Sequence, residues 1–404
     1  MVDTNDNSGP ATDEQPKLLS QLNWHAANAG GALRGISEYP LYSDTHIVGE
    51  RPDEFGPYAF LNAVPLPDGP GNVNAPIVVR VSLHLDTHHL PNMSQRDESL
   101  YHGGLLIDEL AALISLCVGA RMRAGGESRR FEPGKDPLGR PAAWNDRPKP
   151  SVGVRLAPII KLKTGVVLRS NNIVLPAAVG THSLDELDLL SCIPRLSSKQ
   201  YVSLIRAANH YQDALWVAES EPNLAWLMLV SALETAANEF TSENGAPVER
   251  LRYSIPELAS VLEEAGGPKL VARVADLIQH SLGATKKFID FTLNFLPTAP
   301  AMRPKEEYLR IKWDKDSLKK HVLRKVYAYR SRALHGGIPF PAPMFEPPYA
   351  GVDFQLSEKP LTGLASHSHG GTWMPEDLPI NLHCFHYIVR GALMNWWHSM
   401  GGDG

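Results

Sequence analysis

Residues 222–240 read PNLAWLMLVSALETAANEF, and Glu234 is the single charged side chain between Pro222 and Asn238. Leu227, Val230, Glu234 and Ala237 fall on one helical row that is otherwise apolar. A segment of this kind belongs inside a bundle of helices. Its neighbours are punctuated accordingly. Ser197 or Ser198 can cap a helix running to about Glu219. Pro222, Pro256 and Pro268 each stand where a first helical turn tolerates a missing N–H. Residues 284–296 place Phe288, Phe291 and Phe295 on one side, and 377–400 space Leu382, Phe385, Val389, Ala392 and Trp396 as a helix does. Residues 191–404 are therefore expected to form an all-helical bundle, with these aromatics and Trp397 as core.

The first half has a different texture. Residues 75–86 alternate as a strand, with Val79, Val81, Leu83 and Leu85 on one face. Residues 105–122 carry Leu106, Leu110, Leu113 and Cys117 at helical spacing. Further short strands are expected at 152–158 and 165–175, whereas 17–75 reads as loop-dominated. Together, 17–190 make a small α+β unit, preceded by an acidic, polar tail over 1–16 that is expected to be disordered and lacks the features of a signal peptide. The whole chain is thus expected to be α+β: a small N-terminal α/β unit, then a helical bundle.

Net charge is −5, but from Arg121 to Arg169 twelve Lys/Arg face four Asp/Glu. The Gly/Pro/Arg-rich loop 121–150 makes Arg129, Arg130, Lys135 and Arg140 the candidates for contact with a nucleic acid. The bland reading is a solvated basic face.

The helix over 317–334 ends in YAYRSRALHGG, residues 327–337. One row holds Val322, Val326, Tyr329 and Ala333, and a second holds Leu323, Tyr327, Arg330 and Leu334. Arg330 therefore faces inward, where an unpaired guanidinium would be very costly. Glu234 is its candidate partner. Arg332 lies about 200° round the helix and should be solvated. Gly336 or Gly337 can stop the helix in the left-handed conformation, leaving His335 in the last turn. There it either caps the helix as a cation or swings toward Arg330.

An Arg, four residues and then His-Gly at the end of a late helix, behind an earlier helix reading LVSALETAANEF, resembles the HEPN superfamily over roughly residues 195–400. The resemblance implies a metal-independent endoribonuclease, of the kind found in phage defence or toxin-like stress responses. It implies Arg330 and His335 as the active pair, and a homodimer that joins two such motifs through the helical domain. Active members often carry Asn, Asp or His after the Arg; here Ser331 takes that place. The chemistry is coherent in its own right. RNA brings its own 2′-OH nucleophile, His exchanges protons near neutral pH, and Arg holds phosphate oxygens. No cofactor is needed. The alternative is a non-catalytic binding or scaffold module in which Arg330, His335 and Glu234 are structural.

Other signals carry less. His84, Asp86 and His88 share one face of a strand end, but a zinc site needs three or four convergent ligands of suitable geometry, which this spacing does not supply. His367 and His369 are similarly sparse, and His383 and His386 read as satisfied helix side chains. Cys117, Cys192 and Cys384 are too few and too scattered for a disulfide framework, which fits a reducing cytoplasm. No apolar run is long enough for a membrane span.

Overall fold

The computed structural model describes residues 18–63, 73–85, 105–142, 147, 160–161, 167–168, 173–240, 246–278, 283–363, 365–368 and 371–401. It is a mixed α and β fold with an antiparallel sheet. Helix α1 (Leu19–Asn28) precedes strands β1 (Gly35–Ser43), β2 (His46–Val48), β3 (Arg51–Phe55), β4 (Tyr58–Asn62) and β5 (Asn74–Leu83). Helix α2 (Leu106–Val118) leads to β6 (Arg123–Ala124), β7 (Arg129–Phe131) and β8 (Arg140–Pro141). The main sheet runs β3-β4-β5-β1-β7-β8, with β6 also on β1. Segment 18–63, expected to be mostly loop, is instead a helix and four strands. Gly and Pro interrupt the alternation along these strands, and cross-strand pairing supplies the order that local pattern does not. Tyr39 and Phe60 both oppose Val79, so β5 is held on each side. The strand expected at 152–158 and the tail over 1–16 lie outside the described residues.

The helical half follows its punctuation. Helix α3 (Ser198–Val217) starts with Ser197 Oγ accepting from the Gln200 N–H at 3.3 Å, while Gln200 Oε1 accepts from the Ser197 N–H at 2.9 Å. Helix α4 (Pro222–Phe240) opens on its proline. Helix α5 (Pro247–Ser254) and α6 (Pro256–Ile278) form a hairpin with its own small core of Leu251, Ala259, Val271 and Ala275. Gly267, at φ 68°, breaks α6 just before Pro268. Then come α7 (Ala284–Asn294), the short turn α8 (Lys315–Ser317), a π-helical segment Leu318–Leu323, α9 (Arg324–Gly336) and α10 (Leu382–Gly401). The π segment was not foreseen, because side-chain periodicity barely changes over six residues. Phe288, Phe291, Phe295, Trp396 and Trp397 are all core.

One apolar core runs through both halves. Helix α4 sits inside it. Trp226 stacks on Phe340 at 5.1 Å and on Phe385 at 4.9 Å. The chain leaving α9 is thereby drawn back over α4. Helix α2 is buried almost all round and packs on α3. Its C-terminus ends at Gly119, φ 73°, where a Cβ would lie 2.8 Å from Arg390 Nε. Arg390, on α10, donates to the Leu116 carbonyl at 3.0 Å and to the Cys117 carbonyl, so a cation satisfies the last turn of α2. Among the described residues, no helix is long and apolar enough to cross a membrane.

At the other end of α2, buried Glu109 accepts from the Ser20 N–H at 2.8 Å, the Leu19 N–H at 3.3 Å and the Ser20 hydroxyl, capping α1. Desolvation outweighs these donors and lifts the carboxyl from its ordinary 4.5 to about 7. The folded protein then holds a proton here that the unfolded chain has already lost. Stability from this group is complete below about pH 4.5 and declines until about pH 7, by ~3 kcal/mol in all. Comparing chemical denaturation of wild type and Glu109→Gln across that window should show the wild type losing ground as pH rises. A difference that does not change with pH would mean that the carboxyl is ionised in the fold throughout.

Candidate active site

Glu234 and Arg330 meet as their rows require. The Arg330 Nη2 donates to Glu234 Oε2 at 2.7 Å, and the Tyr327 hydroxyl donates to Glu234 Oε1 at 2.9 Å. The guanidinium also lies over the Tyr327 ring, 5.6 Å from its centroid. Burial, and then the charge on Glu234, push the Tyr327 hydroxyl up to about 12, so it remains a donor at neutral pH. The pair is not sealed, however. The Arg330 and Glu234 side chains keep 20% and 16% of their surface exposed. The inward row emerges from the core at Arg330, and Leu334 one turn later is exposed rather than buried.

The pair forms the floor between two depressions. The larger, of about 600 Å³, is lined by Glu234, Tyr327, Arg330, Ser331 and His335. Lys319 and Arg324 stand on its wall, with Lys286 of α7 across from them. His335 is exposed in the last turn of α9, and Gly337, at φ 64°, stops the helix with its N–H on the Arg332 carbonyl. The glycine pair thus ends the helix and also leaves His335 in the cleft. Arg332 is exposed as expected, but it does not line the cleft; its guanidinium stacks over Tyr329 at 4.5 Å.

The smaller depression, of about 320 Å³, shares Glu234 and Arg330 and adds His210 of α3 and Lys287 of α7. Desolvation lowers the pKa of His210, against the opposing pull of Asp213 and Glu234. A neutral imidazole therefore faces the pair from behind. His210 was missed in the sequence because only the packing of α3 on α4 brings it opposite Glu234.

The basic loop is arranged differently from expectation. Arg130 pairs with Glu127 at 2.7 Å, Lys135 with Glu132 at 3.5 Å, and Arg140 with Asp136 at 3.3 Å. Arg129 donates to the Leu138 carbonyl at 2.6 Å and lies 3.9 Å from Glu38. Each of the four has a carboxylate within ion-pair reach, and none lines the cleft. Arg121, counted in the same basic stretch, is 1% exposed and paired with Asp44 and Glu219.

Of the other histidines singled out in the sequence, three have partners. His84 Nδ1 lies 2.8 Å from the Gly31 carbonyl, while Asp86, His88 and His369 fall outside the described residues. His383 Nε2 lies 2.7 Å from the Ser357 carbonyl, and His386 Nε2 lies 2.7 Å from the Tyr211 hydroxyl. Among the described residues, no group of three or more His, Cys, Asp or Glu is placed to hold a metal. No protein-family model, curated protein or solved structure matches this chain.

A sealed ion pair would cost ~3–5 kcal/mol to break from one side. Water reaches this one, so Glu234→Ala should destabilise by about 1.5–3 kcal/mol, the range for hydrogen bonds to a charged group. A double-mutant cycle between Glu234→Gln and Arg330→Met, read by denaturant unfolding, should give a coupling of at least about 0.5 kcal/mol. Additive single effects would show that the two do not pair in solution.

Proposed function

We propose that the protein is a metal-independent endoribonuclease of HEPN type, with Arg330 and His335 as its reacting pair. The observation that carries this reading is the joint placement of Arg330, Ser331 and His335 on one open cleft. The scaffold alternative accounts for the Glu234–Arg330 bond and gives His335 a capping role at the helix end, but it does not account for both side chains opening onto the same cleft. Glu234 takes one donor of the guanidinium and orients the rest; Nε is buried without a hydrogen-bond partner among the described residues, so the exposed remainder of the guanidinium is what an anion would meet. A fork held in this way suits a phosphate. Lys319 and Arg324 add positive charge where an RNA backbone would enter.

The 2′-oxygen attacks phosphorus as His335 removes its proton. The bond to the 5′-oxygen breaks, and the leaving oxygen takes a proton from the partner's His335. The products are a 2′,3′-cyclic phosphate and a 5′-hydroxyl. Leu334 and Ile338, 50% and 52% exposed on either side of the glycine pair, give a second copy an apolar surface next to the cleft.

Purified protein incubated with mixed RNA in a chelator should yield fragments ending in 2′,3′-cyclic phosphate, because the nucleophile is internal to the substrate. His335→Ala should abolish this with the melting temperature nearly unchanged, since an exposed helix-end His contributes only about 0.3–1 kcal/mol. Arg330→Ala should abolish cleavage and also lower stability, whereas Arg332→Ala should do neither. Cleavage that needs a metal, or that survives His335→Ala, would overturn the assignment.

A further inference from the structure

A further cavity lies on the other side of the same helix. It measures about 760 Å³ and carries five cations: Lys305, Arg310, Lys312, Lys325 and Lys359. Only two carboxylate residues, Glu307 and Glu376, share its lining. Among the described residues none of the five cations is in an ion pair, whereas those of the basic loop each have a carboxylate in reach. In a chain of net charge −5, five cations gathered around one concavity repel each other with only two carboxylates in the lining to offset them. A concave wall of low dielectric strengthens that field.

The site is built rather than incidental. Buried Glu358 binds Arg303 through two bonds, at 2.5 and 2.7 Å, and accepts from the Ile311 N–H at 2.7 Å. The Arg303 guanidinium also donates to the Ile311 carbonyl at 2.7 Å. These bonds lock segment 303–312 against the loop carrying Lys359, so Arg310, Lys312 and Lys359 are held on one frame. Lys325 is anchored from α9 by its bond to the Glu376 carbonyl. Beneath the cations the floor is apolar, with Ile311, Val322 and Leu378 buried. The π-helical segment supplies Val322 and His321 to this wall. Such segments are frequent at functional sites.

From this we infer that the cavity binds a nucleoside polyphosphate, with the phosphates on the Lys/Arg rim and the base on the apolar floor. The volume falls within the range of small-ligand sites. Several phosphates in close succession answer five cations better than one carboxylate would. The inference stands apart from the ribonuclease reading. It does place the ligand against the helix whose opposite face carries Arg330 and His335.

Calorimetric titration of the full chain with ATP in a chelator tests it, alongside adenosine and a short oligoribonucleotide. ATP should bind, and adenosine should bind more than about tenfold more weakly, equivalent to about 1.4 kcal/mol. Lys312→Glu with Lys359→Glu should weaken ATP by more than about tenfold as well. Circular dichroism should confirm that this variant is folded, and Lys135→Glu in the basic loop should leave the affinity unchanged. No ATP binding, equal binding by the charge-reversed variant, or binding of the oligoribonucleotide alone would each overturn the inference.

Discussion

The Arg121 guanidinium holds the two halves of this fold together. It stands just past the end of α2 and is almost wholly buried. Its Nη1 donates to Asp44 at 2.8 Å in the turn between β1 and β2, its Nη2 donates to Glu219 beyond α3, and its Nε donates to the Leu215 carbonyl at 2.7 Å. One cation thus binds the sheet, α2 and the end of α3. Removing the guanidinium would leave two carboxylates without their cation in the core, the costly way to break a buried pair. The same α2 is capped by Arg390 from α10, so the C-terminal helix is tied to the N-terminal unit as well. The cleft inherits this rigidity. Helix α3 brings His210, α4 brings Glu234, and both are set by contacts that begin at α2.

The bundle was readable because its signals are local. Ser197, Pro222 and Pro256 act on the first turn of the helix each one opens, and an apolar row repeats whatever lies elsewhere in the chain. The Glu234–Arg330 bond was readable for a related reason: two lone charges on inward rows have few places to go. The strands over 35–62 were not, since their order comes from pairing with β5 and β7 across long stretches of sequence. Nor was Leu334. A helical row says which side chains align, but not where the row leaves the core.

Charge was the least readable property. The excess of Lys and Arg between 121 and 169 looks like a cationic face when counted along the chain. In the fold, a guanidinium takes the nearest carboxylate, often three or four residues away, as Arg130 does with Glu127 and Arg140 with Asp136. Such short-range pairs cancel most of the field beyond a Debye length. Among the described residues, the unpaired cations around the further cavity instead come from stretches that attract no notice in the sequence. Lys305 and Lys359 are far apart in the chain and are brought together by the Arg303–Glu358 lock, and Lys325 joins them from α9.

Glu234 bears on the active-site reading in two opposed ways. It fixes the orientation of Arg330, which saves the entropy of ordering a long side chain when a phosphate arrives. It also neutralises part of the charge that the phosphate would use. Tyr327 moderates the conflict. Its hydroxyl donates to the other carboxylate oxygen, so Glu234 is shared between two donors rather than committed wholly to the guanidinium. Partial exposure acts in the same direction, because water screens the pair more than it would in a sealed core. A fully buried Glu–Arg bond would make a sound strut and a poor phosphate ligand. On the proposed reading, a bond that is shared, partly exposed and flanked by Lys319 and Arg324 would leave Arg330 enough unspent charge to act on an anion entering from the His335 side.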